Sequence, residues 1–72
     1  MSKETQCQRV VDYMTEYGGI TQLEALNELG VMRLASRISD LRRRGVAIRS
    51  ESHSATNRFG ETCRIKRYSL LQ

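Results

Sequence analysis

The chain has 72 residues, enough for one domain with a thin core, since a chain this short buries only about 60% of the surface it exposes unfolded. It carries 12 Lys and Arg against 8 Asp and Glu, a net charge of +4. This leaves little room for a deep catalytic pocket, and no stretch approaches the roughly 18 apolar residues of a membrane helix.

No apolar run follows Met1-Ser2-Lys3-Glu4, so no signal peptide is expected, and the expected location is the cytoplasm, in association with the nucleoid. Cys7 and Cys63 are expected to be free thiols, Cys7 in a helix core and Cys63 in a strand. With His53 they are the main candidate metal ligands, widely separated and without CxxC or HxxxH spacing, so no metal and no cofactor is expected. The charge is unevenly spread. Residues 1–32 hold two basic against five acidic residues, net −3; residues 33–72 hold ten against three, net +7. Such an asymmetry is the footprint of a polyanionic partner.

In chain order, Thr5-Gln6-Cys7-Gln8 has the form of a capping box and predicts a helix over about 5–17. Cys7, Val10, Val11, Met14 and Tyr17 give it an apolar stripe, and Gly18-Gly19 end it. Thr21-Gln22-Leu23-Glu24 is a second capping box, opening a helix over about 21–29. Ile20 can pack near Ala25, Leu23, Leu26 and Leu29 are expected on the inner face, and Gly30 stops the helix. A third helix is expected over about 33–44, with no strong N-cap, an inner face of Leu34, Ile38 and Leu41, and Gly45 at its end. The period then shortens to two. Strands are expected over about 46–51 and 62–70, joined by a polar loop that includes His53. Cys63 and Ile65 differ in parity from Tyr68 and Leu70, so without a bulge one face cannot hold both pairs, and which pair is buried stays open. The fold class is α+β: a three-helix helix-turn-helix core followed by a C-terminal β-hairpin wing, one domain over 1–72.

The third helix carries the functional signal. At about 100° per residue, Met32, Ser36, Asp40 and Arg43 fall opposite the core stripe, and Arg33, Arg37 and Arg44 on the flank. Short outward residues let a helix approach the floor of a major groove, and arginines give bidentate contacts to guanine or phosphate. Arg42-Arg43-Arg44 also suit the negative end of the helix dipole, whereas Arg33 and Arg37 sit where that dipole disfavours cations. Asp40 is expected to pair with Arg37 or Arg44 along the helix rather than accept from cytosine. Arg49, Arg58, Arg64, Lys66 and Arg67 fall along the hairpin, with Arg58 at a tip able to reach a minor groove. The expected base contacts are Arg33, Ser36 and Arg37. The expected backbone contacts are Thr21, Arg43, Arg44, Arg49, Arg58 and Lys66.

The runs Ile20-Thr21-Gln22-Leu23-Glu24-Ala25-Leu26-Asn27-Glu28-Leu29-Gly30-Val31 and Ser36-Arg37-Ile38-Ser39-Asp40-Leu41-Arg42-Arg43-Arg44-Gly45 resemble the first helix and the recognition helix of winged helix-turn-helix DNA-binding domains. With the Tyr68-Ser69-Leu70 ending, the chain is similar over about 5–70 to short helix-turn-helix proteins of phages and prophages. It departs from many winged helices in having Met32-Arg33 where they place Ser or Thr. The resemblance implies binding of double-stranded DNA and transcriptional control in a bacterial setting. A homodimer on a two-fold site is compatible with it; the competing readings are a protein-interaction module using the acidic side of the first helix (Glu4, Asp12, Glu16, with Tyr13 somewhat outward) and a nonspecific architectural DNA binder. An enzyme is not expected: GxGxxG, P-loop, HExxH and triad patterns are all missing. A-form RNA has a major groove too narrow for the helix.

Overall fold

The order of elements follows from where the caps fall. In the computed structural model, which describes residues 2–71, helix α1 spans Lys3–Tyr17 and a two-residue strand β1 covers Ile20–Thr21. Helix α2 begins as Gln22–Glu24 and continues as a π-helical turn, Ala25–Leu29. Helix α3 spans Leu34–Arg43, and strands β2, Ile48–Thr56, and β3, Thr62–Leu70, form the hairpin. The three strands make an antiparallel sheet in the order β1-β3-β2. The fold is α+β, a winged helix with the hairpin as its wing.

Helix α1 starts two residues earlier than Thr5. Ser2 is its N-cap and accepts from the Thr5 amide at 3.2 Å, while Gln8 turns to Asp12 instead of closing a box. At α2 the capping box forms in full: the Thr21 hydroxyl accepts from the Glu24 amide at 3.2 Å, and the Glu24 carboxylate accepts from the Thr21 amide at 2.9 Å. Gly30 then takes the left-handed conformation, φ 71°, and its N–H returns to the carbonyls of Ala25 and Leu26.

Two expectations about the core are corrected. Leu23 and Leu26 do not face inward; they are 66% and 45% exposed, and the residues of α2 that contact the core are Ala25, fully buried, and Leu29, partly buried as expected. A small side chain at Ala25 lets α2 approach its neighbours closely, which turns Leu23 and Leu26 out. Tyr13 does not lie outward. It is half-buried, and its hydroxyl donates to Glu24 at 3.2 Å. Burial, followed by the charge and hydrogen bond of Glu24, pushes its phenol pKa up.

The core joins Cys7, Val10 and Met14 of α1, Ile20 of β1, Ala25, Val31, and Leu34, Ile38 and Leu41 of α3 to Ile48 and Tyr68 at the base of the hairpin. The parity question resolves without a bulge. Partners run in unbroken register from Ile48↔Leu70 to Thr56↔Thr62, and Tyr68 and Leu70 face the helices while Cys63 and Ile65 take the opposite side. The first hairpin strand runs to Thr56 and not 51, so His53 is a strand residue. Both cysteines are free, Cys7 buried and Cys63 exposed.

Candidate nucleic-acid interface

The sequence offers no N-cap for α3, and the structure supplies one from another helix. The Gln22 side chain of α2 accepts from the Leu34 amide at 2.9 Å and donates to the Val31 carbonyl at 3.1 Å. One side chain thus closes the turn between the two helices and satisfies a free N–H of the second. Arg33, the residue preceding α3, makes no capping bond with its side chain.

Helix α3 presents three differently engaged sides. On the α1 side, Arg37 and Asp40 have side chains only 12% exposed, with Arg37 Nε and Asp40 Oδ2 3.3 Å apart, outside hydrogen-bonding alignment. Arg44 pairs there with Glu4 of α1, whose hydrogen bond and charge raise the guanidinium pKa further. Toward the hairpin, Arg42 donates to the Ile48 carbonyl at 2.9 Å, and Ala35 lines a groove between helices and hairpin. Between these two sides runs an outward strip of Met32, Ser36, Ser39 and Arg43. Met32 is 77% exposed, Ser39 is exposed, and Ser36 is half-buried. Arg43 reaches back to Asp40 yet leaves its side chain 75% exposed.

The hairpin has two unlike faces, because residues directly opposite in an antiparallel pair share a face and successive residues alternate. The face that carries Ile48, Tyr68 and Leu70 at its base continues as Ser50, Ser52, Ser54 and Thr56 on β2 and Thr62, Arg64 and Lys66 on β3. It holds hydroxyls and two cations and no carboxylate. The other face holds Arg49, Glu51, His53, Ile65 and Arg67. There Glu51 sits 3.1 Å from Arg49 and 3.5 Å from His53, and the Arg67 guanidinium lies over Gly19, where an added Cβ would meet it at 2.5 Å. At the turn, Arg58 is exposed.

The groove between the first hairpin face and the helices measures about 570 Å³ and is lined by Leu23 and Leu26 of α2, Leu34 and Ala35 of α3, and Lys66 and Tyr68 of β3. A second hollow of about 280 Å³ has Gln6, Arg33 and Arg37 on its walls.

The expected contact residues are therefore distributed as follows. Ser36 and Arg43 share the outward strip, and Lys66 and Arg58 are exposed on the hairpin. Arg33 is exposed beside the hollow. Arg37 and Arg44 are drawn toward α1, Arg49 lies on the carboxylate-bearing face, and the Thr21 hydroxyl is taken by the capping box. Ser39, Arg64 and the serines of β2 were not among the expected contacts. Extending the two-residue period from Ile48 through Ser54 would have found the serines.

The winged helix-turn-helix domain family matches the chain over residues 5–72, and the chain belongs to that family. No curated protein and no solved structure matches it. The winged helix-turn-helix is a DNA-binding fold, which makes DNA the partner that family membership suggests. Among the described residues no helix is long and apolar enough to cross a membrane, and no group of three His, Cys, Asp or Glu could hold a metal ion.

Proposed function

We propose that the domain binds double-stranded DNA in a sequence-specific manner, with α3 in the major groove and the hairpin as a wing along the backbone. The observation that carries this reading is the hairpin face without a carboxylate, which borders the same groove as the first turn of α3. Hydroxyls and cations on one continuous side suit phosphate oxygens. Arg33, Ser36 and Ser39 read bases, and Arg43, Arg58, Arg64 and Lys66 hold phosphates, with the Thr21 end of α2 against the backbone. Arg37 lies against Asp40, which Arg43 hydrogen-bonds, and reaches a base only by leaving that carboxylate. Arg44 and Arg49 act mainly within the protein, through Glu4 and Glu51.

One such domain covers only about 600–1,000 Å² on DNA. That modest area favours two copies on a two-fold site, with half-sites about 34 Å apart. The whole-chain resemblance supports a transcription regulator of phage or prophage type, working at the nucleoid in the cytoplasm. The rival reading, a protein-interaction module, is favoured by the outward placement of Leu23 and Leu26.

The test is retention of a random pool of duplex DNA at about 50 and 200 mM salt, followed by sequencing of the bound fraction. The expected result is retention that falls steeply with salt, together with an enriched motif. Retention without a motif would leave an architectural binder. No retention at the lower salt would favour the protein-interaction module.

A further inference from the structure

The tip of the hairpin carries an aromatic ring that the fold does not use. Phe59, the one phenylalanine of the chain, is 79% exposed. Isolated apolar side chains on a surface are ordinary. What distinguishes this one is the construction beneath it. The Asn57 side-chain oxygen accepts from the amides of Phe59 at 2.9 Å and Glu61 at 3.0 Å. The Asn57 amide donates to the Glu61 carbonyl at 2.9 Å, and the Gly60 amide donates to the Asn57 carbonyl at 3.1 Å. Gly60 supplies the left-handed residue that this turn needs, at φ 78°. The ring is thus mounted on a closed, internally bonded turn, and little chain entropy remains to be lost when it is immobilised by a ligand.

Position and charge indicate what the ligand is. Only the base of the hairpin meets the core, and the strand from Ser50 to Thr56 carries the tip roughly 20 Å further out at the usual strand rise. Arg58 is exposed next to the ring. The one carboxylate at the tip, Glu61, receives a hydrogen bond from the Asn57 side-chain amide at 3.2 Å. A rigid apolar wedge beside a cation, at the end of an arm faced with hydroxyls and cations, matches the way proteins enter a minor groove and unstack neighbouring base pairs.

We propose that Phe59 inserts as a wedge between adjacent base pairs from the minor groove, with Arg58 on the neighbouring backbone or groove floor, so that the wing bends the duplex. The inference rests on duplex DNA being the partner of the wing. It makes the domain a DNA-bending protein as well as a reader of sequence, and it gives the tip a preference for flexible pyrimidine–purine steps, which unstack most easily.

The experiment uses the full chain with short duplexes drawn from the retained pool. These are labelled at both ends for energy transfer and substituted with 2-aminopurine one adenine at a time. The wild-type protein is expected to bring the ends together by a bend of about 20–90° and to raise 2-aminopurine fluorescence at one step. Phe59→Ala, at a position outside the core, is expected to keep its circular dichroism spectrum and to bind about tenfold more weakly. It should lose both the bend and the fluorescence rise at saturation. Phe59→Leu, which keeps an apolar wedge, is expected to retain most of both signals. If wild type and Phe59→Ala both bind and give the same bend and fluorescence, the wedge is wrong while the DNA reading stands. If the wild-type protein retains no duplex, both fall together.

Discussion

The two faces of the hairpin are built from the same two strands and separated by one peptide step, yet their charges are managed in opposite ways. On one face every basic side chain has an assignment within the protein: Arg49 and His53 approach Glu51, and Arg67 covers Gly19. On the other, Arg64 and Lys66 stand among serines and threonines with no carboxylate between them. Helix α3 shows a contrast of exposure instead: Arg37 and Arg43 share the Asp40 carboxylate, but the Arg37 side chain is 12% exposed and that of Arg43 75%. A count of basic residues cannot separate the two groups. The number of cations left unneutralised on one side is what a polyanion meets, and alternation along a strand decides it.

The largest effect expected from this contrast comes from reversing charge on each face in turn. Arg64→Glu with Lys66→Glu should weaken duplex binding more than about a hundredfold at low salt. Arg49→Glu with His53→Glu should change it by no more than about threefold, as read by fluorescence anisotropy. Equal losses would mean that overall charge, and not the face, governs binding. A sharper version uses neighbours in sequence. Ser52→Glu, on the face without carboxylates, should cost about tenfold, and His53→Glu about twofold or less. The single change Arg64→Ala should also lower the slope of log affinity against log salt by about one, and Arg49→Ala should leave it unchanged.

A smaller effect tests whether the recognition helix is held by its neighbour. Gln22→Ala removes both bonds that close the helix-turn-helix, at a cost of about 1 kcal/mol of stability. For a domain of this size that lowers the melting temperature by about 4–8 °C. Leu23→Ala, one residue along and exposed, should stay within about 0.5 kcal/mol. Thermal melts of the two variants side by side decide the point.

The smallest effect is electrostatic. Folding raises the Tyr13 phenol above its ordinary value of 10.0, because burial and Glu24 disfavour the phenolate. A raised folded pKa means that the stabilisation is complete below the unfolded pKa and is lost as pH rises through the folded one. Stability should therefore fall above about pH 10, and Tyr13→Phe should flatten that alkaline limb in denaturant titrations. An unchanged limb would show that Tyr13 ionises as it does in the unfolded chain.

The sequence by itself determined the features that act over a few residues. The Thr21–Glu24 capping box, the stop at Gly30, the stripe of Leu34, Ile38 and Leu41, and the strand over 62–70 are all local, because caps and periodicity act within one or two turns or pleats. Tertiary structure decided the rest. Ala25, and not Leu23 or Leu26, faces the core because three helices and a sheet must share one small interior, and close approach favours the smaller side chain. The cap of α3 comes from Gln22, twelve residues away, and the partner of Arg44 is Glu4, forty residues away; no local pattern carries either. The two hairpin faces were half legible, since alternation is written in the chain. Which parity faces inward was set only when Ile20 paired with Tyr68 and placed both side chains in the core.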